Sequence, residues 1–445
     1  METEERTCLV LPLEMWSNVL SFLSKQQLLL VSLVCKEWRD LVFTLDSLRN
    51  ITVPQRCDSE ERLRFLLPLL SERFPLLTRL DMNGCTQLTD ELASHLAHLP
   101  YLKELRLGNS PQLSSKATTY LPTGLRSLHI HSCRGITDFP HALPSSLLSL
   151  SLHHMKQLTG TELHSPNVPS TLTSLDLTSC WNMGGAELQA LLPIHFPLLR
   201  SLVLRGCKRI TNDTLRGCAS LTALTALDLG DSCRELNEEG LQHLPSSLLV
   251  LKFKGCRLIT DEALAFLPRG LHTLSMPYCR FITDEGIKNL PSERLRDLDI
   301  SFCYHLHDAA IRDLPRGIKV LNLTGLENIS NAAIGSLPSG LQRLSLRECY
   351  SITDEGIALL PQEIRVLDLS HSKVTFRGLV SLPLSLQCLT LDAFWNPLSS
   401  GELMLLAQRM KVSPTLSGYA TTSLATCRRE VHAGTQHKKI REIRF

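Results

Sequence analysis

One frame, LxxLxLxxCxx[IL]T[DN], recurs through most of this 445-residue chain, followed by a short apolar segment and usually Leu-Pro. It reads LRSLVLRGCKRITND from Leu199, LHTLSMPYCRFITDEGI from Leu271 and LQRLSLRECYSITDEGIALLP from Leu341. The first position falls at residues 77, 102, 125, 147, 172, 199, 224, 248, 271, 295, 318, 341, 364 and 386, spaced 22–27 apart. A weaker unit precedes these at Leu48, Ile51 and Val53. A period of this length marks a chain built from stacked supersecondary units.

The frame has a direct physical reading. Alternating leucines in LxL point to one side of a strand, and the residues between them point to the other. The segment TDEGIxxL offers Thr or Asp as a helix N-cap, acids in the first turn and an apolar stripe. Proline then ends the turn, because it cannot extend a helix. One unit cannot bury its leucines alone, whereas stacked units share a continuous core. The predicted fold class is α/β: a leucine-rich-repeat solenoid with a curved parallel sheet and short convex helices.

The cysteine is part of this architecture. Cys349, beside Arg347, Glu348 and Tyr350, has the surroundings of a reactive thiol, but it recurs as Cys85, Cys133, Cys180, Cys207, Cys256, Cys279 and Cys303, with Cys233 displaced by one. A nucleophile is not needed so many times over. A small buried group at the bend after each strand is. Ser110, Met155, Leu326, Ser372 and Phe394 take the slot elsewhere.

Composition bounds the rest. A net charge of +2 argues against wholesale binding to nucleic acid or an anionic membrane. No apolar run approaches the roughly 18–20 residues of a membrane helix. The start, METEER, lacks the basic and apolar regions of a signal peptide. The expectation is a cytoplasmic or nuclear protein with mostly reduced cysteines. No CxxC pair occurs, and neither P-loop, GxSxG nor HExxH is present. The chain is read as a non-catalytic recognition protein with no cofactor.

Before the repeats lies LPLEMWSNVLSFLSKQQLLLVSLVCKEWRDLVF, residues 11–43. Pro12 suits the first position of a helix. That helix carries two apolar stripes, Leu13/Trp16/Leu20/Leu23 and Met15/Val19/Phe22, where a surface helix needs one. The excess must meet either the first repeats or another protein, and composition does not choose between them. Next, DSEERLRFLLPLLSERFP (58–75) reads as a helix with an Asp58/Glu61 capping box. It is expected to pack the N-terminal segment against the array.

The resemblance is specific at this point. The repeat frame resembles the cysteine-containing leucine-rich repeats of F-box proteins over roughly residues 48–398. Residues 11–43 resemble the F-box itself, with Leu11, Pro12, Glu14, Val19, Leu20, Phe22, Leu23, Leu28, Ser32, Val34, Cys35 and Trp38 in matching positions. The acidic residue that often precedes the second helix's leucine is Gln27 here. The resemblance implies docking onto the adaptor subunit of a cullin–RING ubiquitin ligase through Leu11, Pro12, Glu14, Met15, Val19, Leu20, Leu23 and Leu28. It divides the chain into an F-box (9–44), a degenerate first repeat and connecting helix (45–76), about fourteen repeats (77–398), and a C-terminal cap with a basic, unpatterned tail read as disordered (399–445). The repeats would then hold a protein substrate on their concave face.

Three groups on that face are candidates. Arg205, Lys252 and Lys254, with Lys208, Arg257 and Arg280 in the following loops, form a basic group suited to an acidic or phosphorylated motif. Asp228 and Asp231 partly balance it. Tyr278, Phe302, Tyr304 and Tyr350 are aromatics at strand ends, suited to anchoring a partner. His129, His131 and His153 stand on neighbouring strands, with no carboxylate or thiol at comparable positions, so no metal is assigned. The alternatives to a ligase subunit are a non-ligase repeat scaffold, a receptor that needs an inositol phosphate or other small ligand, and a cysteine-dependent enzyme.

Overall fold

The computed structural model describes Leu20 and residues 49–53, 59–74, 76–139, 141–232 and 234–392, with 398–399, 401–402, 405–406, 415–416 and 440–444 beyond them. The chain divides into two compact units, Met1–Arg209 and Ile210–Phe445. Each is a stack of repeats and is described by itself.

In the N-terminal unit β1 (Asn50–Thr52), β2 (Arg79–Asn83), β3 (Glu104–Gly108), β4 (Ser127–His131), β5 (Ser149–His153), β6 (Ser174–Asp176) and β7 (Ser201–Val203) pair in sequence order, all parallel. The register sets Leu80, Leu105, Leu128, Leu150, Leu175 and Leu202 side by side, each fully buried. Parallel neighbours need a crossover, and the rest of each repeat supplies it. The widest spacing, Leu172 to Leu199, accommodates an eleven-residue helix, Gly185–His195, where shorter units have helical turns of four to seven residues.

The C-terminal unit repeats the plan. β8 (Ala226–Asp228), β9 (Val250–Lys252), β10 (Thr273–Ser275), β11 (Asp297–Asp299), β12 (Val320–Asn322), β13 (Arg343–Ser345), β14 (Val366–Asp368) and β15 (Cys388–Asp392) are parallel and in register through their central leucines. Disorder was the expectation for the tail, but Thr415–Leu416 (β16) and Ile440–Arg444 (β17) are strands, and β17 pairs antiparallel with β15. The last strand of a stack leaves a row of unpaired N–H and C=O groups, and the tail backbone satisfies it without any repeat pattern of its own.

The connecting helix α1 is Glu60–Arg73. Its cap is not the expected Asp58: Ser59 Oγ accepts from Arg62 N at 3.3 Å, because Ser59 is the residue with extended backbone just before the first turn. Leu63, Leu67 and Leu70 form its buried stripe.

At each described bend the residue before the cysteine slot has positive φ: Gly84, Asn109, Ser132, His154, Ser179 and Gly206 in the first unit, and Asp231, Gly255, Tyr278, Phe302, Gly325, Glu348 and His371 in the second. This left-handed residue turns the chain inward. Its N–H bonds the next repeat, as from Ser179 to Arg205 O at 2.7 Å and from Phe302 to Thr324 O at 2.8 Å. The thiol that follows is buried, and those of Cys180, Cys207, Cys303 and Cys349 donate to the preceding repeat. Cys207 Sγ lies 3.1 Å from Leu177 O, and Cys349 Sγ lies 3.1 Å from Leu323 O. Ser110 Oγ bonds Cys85 O at 2.9 Å from the same slot. In the seventh repeat the slot holds Ser232, and Cys233 lies outside the described residues.

The T-D-E-G segment does more than cap. Thr283 Oγ1 accepts from Glu285 N, as an N-cap should, at 3.3 Å. Its own N–H and hydroxyl donate to Asp261 of the previous repeat at 2.8 and 2.6 Å. Asp308 holds Ser330 and Asp354 holds Thr375 in the same way, while Asn331 accepts from the Thr353 N–H and donates its amide N–H to the Thr353 hydroxyl. Gly286, Gly356 and Gly378 leave room for the arriving side chain, since a Cβ at each would lie against Asp261, Asn331 and Asp354 respectively. Ala310 and Ala333 take the corresponding place elsewhere, so the slot demands a small residue.

Candidate functional site

The outward row of each strand alternates with the buried leucines, and bends at the strand ends bring further side chains beside it. On the C-terminal unit this row gathers the predicted aromatics. Tyr278 and Phe302 sit at two successive left-handed positions, φ 60° and 56°. Their rings stack, centroids 4.5 Å apart and planes 11° apart, and Tyr304 meets Phe302 edge-on at 6.3 Å. The ring of Phe302 lies over Gly325, whose missing side chain makes the space. Tyr278 and Tyr304 remain 37 and 39 % exposed. Burial, and then neighbouring Tyr304, Glu348, Asp231 and Asp299, push the Tyr278 hydroxyl above its ordinary pKa, so it stays a neutral donor. Tyr350 stands two repeats on, half-buried.

The basic residues are less uniform than their sequence suggests. Lys254 Nζ lies 3.5 Å from Asp231 Oδ2 and 5.7 Å from the Tyr278 ring, so it belongs to the aromatic group. Asp228 Oδ1 accepts from Gly230 N at 3.0 Å, closing its own strand end. Lys252 is half-buried on β9. Arg205 belongs to the N-terminal unit, where its carbonyl receives the bond from Ser179.

The histidines do have carboxylate neighbours, contrary to their reading in the sequence. His153 Nε2 lies 2.7 Å from Asp176 Oδ2 on β6, and His129 Nε2 lies 3.8 Å from Glu104 Oε1 on β3. These acids come from adjacent strands, and strand adjacency is not visible in a single repeat. Glu104 also pairs with Arg106 (2.8 Å) and Arg79 (3.4 Å). Burial and Arg106 hold the His129 pKa below its ordinary value, while burial, His153 and His154 lower that of His131. Burial raises the Asp176 pKa, but bonds from His153 and Thr178 outweigh it and leave the carboxyl below its ordinary value. Among the described residues no three or more His, Cys, Asp or Glu side chains form a metal-binding group.

Sequence reading passed over Trp181. Lys156 Nζ lies 3.8 Å from the centroid of its ring and Lys208 Nζ lies 4.1 Å, both in the N-terminal unit. The three share one offset after the cysteine slot, a signal visible only once repeats are aligned.

Of the predicted docking segment Leu20 is described: it is helical and 2 % exposed. Leu11, Pro12, Glu14, Met15, Val19, Leu23 and Leu28 lie outside the described residues.

A family model described as F-box-like matches residues 8–50, and one described as Leucine Rich repeat matches residues 168–192. No curated protein matches the chain. Among solved structures it is similar to a chain of the Rad7 and Elc1 complex in yeast (19 % identity, covering 81 % of this chain and 92 % of that one, TM-score 0.49). It is similar also to an internalin of Listeria monocytogenes (19 %, 74 % and 93 %, TM-score 0.44) and to the leucine-rich-repeat-containing protein LegL7 of Legionella pneumophila (16 %, 66 % and 93 %, TM-score 0.38). The stacked strand–bend–turn units make the fold that of a leucine-rich-repeat protein. The chain thus has an F-box-like segment followed by leucine-rich repeats, and both of its matched modules are of kinds that mediate interactions.

Proposed function

We propose that the chain is the substrate-recognition subunit of a cullin–RING ubiquitin ligase, active in the cytoplasm or nucleus. The F-box-like segment docks the adaptor subunit, and the outward rows of the repeats hold the protein to be ubiquitinated. The observation that carries this reading is the order of modules: an F-box-like match over residues 8–50, then repeats. The exposed Tyr278–Phe302–Tyr304 group with Lys254 supports a protein-binding role, because stacked aromatics are rigid anchors at interfaces. The subunit does no bond chemistry. It raises the effective concentration of substrate lysines near the charged conjugating enzyme.

The test is capture of the chain by an immobilised adaptor–cullin pair, comparing the natural sequence with Leu11→Ala/Pro12→Ala. Capture that disappears in the variant, with circular dichroism unchanged, is the expected result. If the natural chain is not captured, the ligase role falls and the repeats stand as a non-ligase scaffold.

A further inference from the structure

The bends of the N-terminal unit form an edge with a distinct charge. Residues 84–87, 109–112, 132–135, 154–157, 179–182 and 206–209 contain no Asp or Glu, yet they carry Arg134, Lys156, Lys208 and Arg209, all exposed. The corresponding bends of the C-terminal unit contain Asp231, Glu327 and Glu348. In the fifth of these six bends stands Trp181, 36 % exposed, with the ammonium groups of Lys156 and Lys208 at its ring. Neither lysine has a carboxylate partner among the described residues. The indole draws two like charges to one place, and no described carboxylate pairs with either.

We propose that this edge docks an extended acidic segment of a partner protein, its carboxylates on Lys156 and Lys208 and an apolar residue between them against the exposed edge of Trp181. The proposal rests on reading the array as the protein-binding part of the molecule and names where and what it binds. Spacing supports it. The two ammonium groups lie 3.8 and 4.1 Å from one ring centroid, hence within about 8 Å of each other, close to the ~7 Å between alternate side chains of an extended chain. Arg134 lies one repeat before Lys156 and Arg209 beside Lys208, so both extend the cationic row. The neighbouring outward strand face mixes Asp81, Glu104 and Asp176 with Arg79 and Arg106, which pair with Glu104, so the uncompensated cations form a row one peptide wide rather than the broad basic surface that suits nucleic acid.

The experiment uses the full chain and a fluorescein-labelled twelve-residue peptide of Glu, Asp and Leu, read by anisotropy. Controls are the same peptide with Lys for its acids and a twelve-nucleotide oligo-dT. Binding of the acidic peptide should weaken at least tenfold in Lys156→Gln/Lys208→Gln and in Trp181→Ala, and should fall as salt rises. Failure of the acidic peptide to bind, or equal binding by the natural chain and the double variant, overturns the proposal. Tighter binding of oligo-dT through the same two lysines overturns it in favour of a nucleic acid. Adaptor capture is measured on the same samples. Normal capture without peptide binding removes only this inference, and peptide binding without capture removes only the ligase role.

Discussion

The left-handed residue before each cysteine slot is the smallest unit of this architecture, and its occupants differ in cost. Gly, Asn, Asp and Ser suit that region or tolerate it, whereas a bulky side chain there is held at roughly 1–3 kcal/mol of strain. Tyr278 and Phe302 accept that strain at adjacent repeats and recover part of it by stacking, worth about 0.5–1.5 kcal/mol. A direct check separates strain from contact. Phe302→Gly and Phe302→Ala lose the same ring, but only alanine keeps a Cβ at positive φ. Urea denaturation should find the glycine variant more stable by about 1 kcal/mol. Identical midpoints would mean that φ 56° at this bend carries no strain.

One repeat becomes an element of a stack through bonds to its neighbours. Asp261 shows this most plainly: it sits in the first turn of its own repeat, yet both its oxygens serve Thr283 in the next. Removing it leaves the Thr283 N–H and hydroxyl without their acceptor and opens the slot beside Gly286. Asp261→Ala should therefore destabilise the protein by about 1–3 kcal/mol. Glu262→Ala, at an exposed position in the same turn, should stay within about 0.5 kcal/mol. Thermal melts of the two variants distinguish a bond between repeats from a general effect of acid in the first turn, and equal shifts would sink the distinction.

Across the whole molecule the cysteines act together. Desolvation pushes the thiol pKa up at Cys133, Cys180, Cys207, Cys218, Cys303 and Cys349, to about 12 at Cys180, Cys218 and Cys349. Unfolding returns each to its ordinary value near 9. The folded state then holds more protons than the unfolded state between about pH 9 and 12, so stability is complete below pH 9 and declines as pH rises through that window. Denaturant midpoints at pH 8, 9.5 and 10.5 should fall in that order. These buried thiols should also resist iodoacetamide at pH 8 until urea is added, as read by mass spectrometry; rapid native alkylation of Cys349 would restore the enzyme reading.

The repeat pattern by itself determined the strands, because burial of leucines at period two leaves a mark in every unit. Each of the fourteen frames carries a strand, and the buried leucines and cysteines stand where the frame sets them. The aromatic cluster was legible too, since its members share offsets from the cysteine slot. What the pattern does not record is which side chain of one repeat meets which of the next. That choice joins residues some 23 positions apart and depends on register, bend conformation and rotamer. Tertiary structure therefore decided that Asp261 bridges repeats and that Lys254 answers to Asp231. It decided likewise that His153 finds Asp176, and that Trp181 gathers two lysines. A pattern of burial encodes the direction in which a side chain points, and only the stacked chain supplies the neighbour it points to.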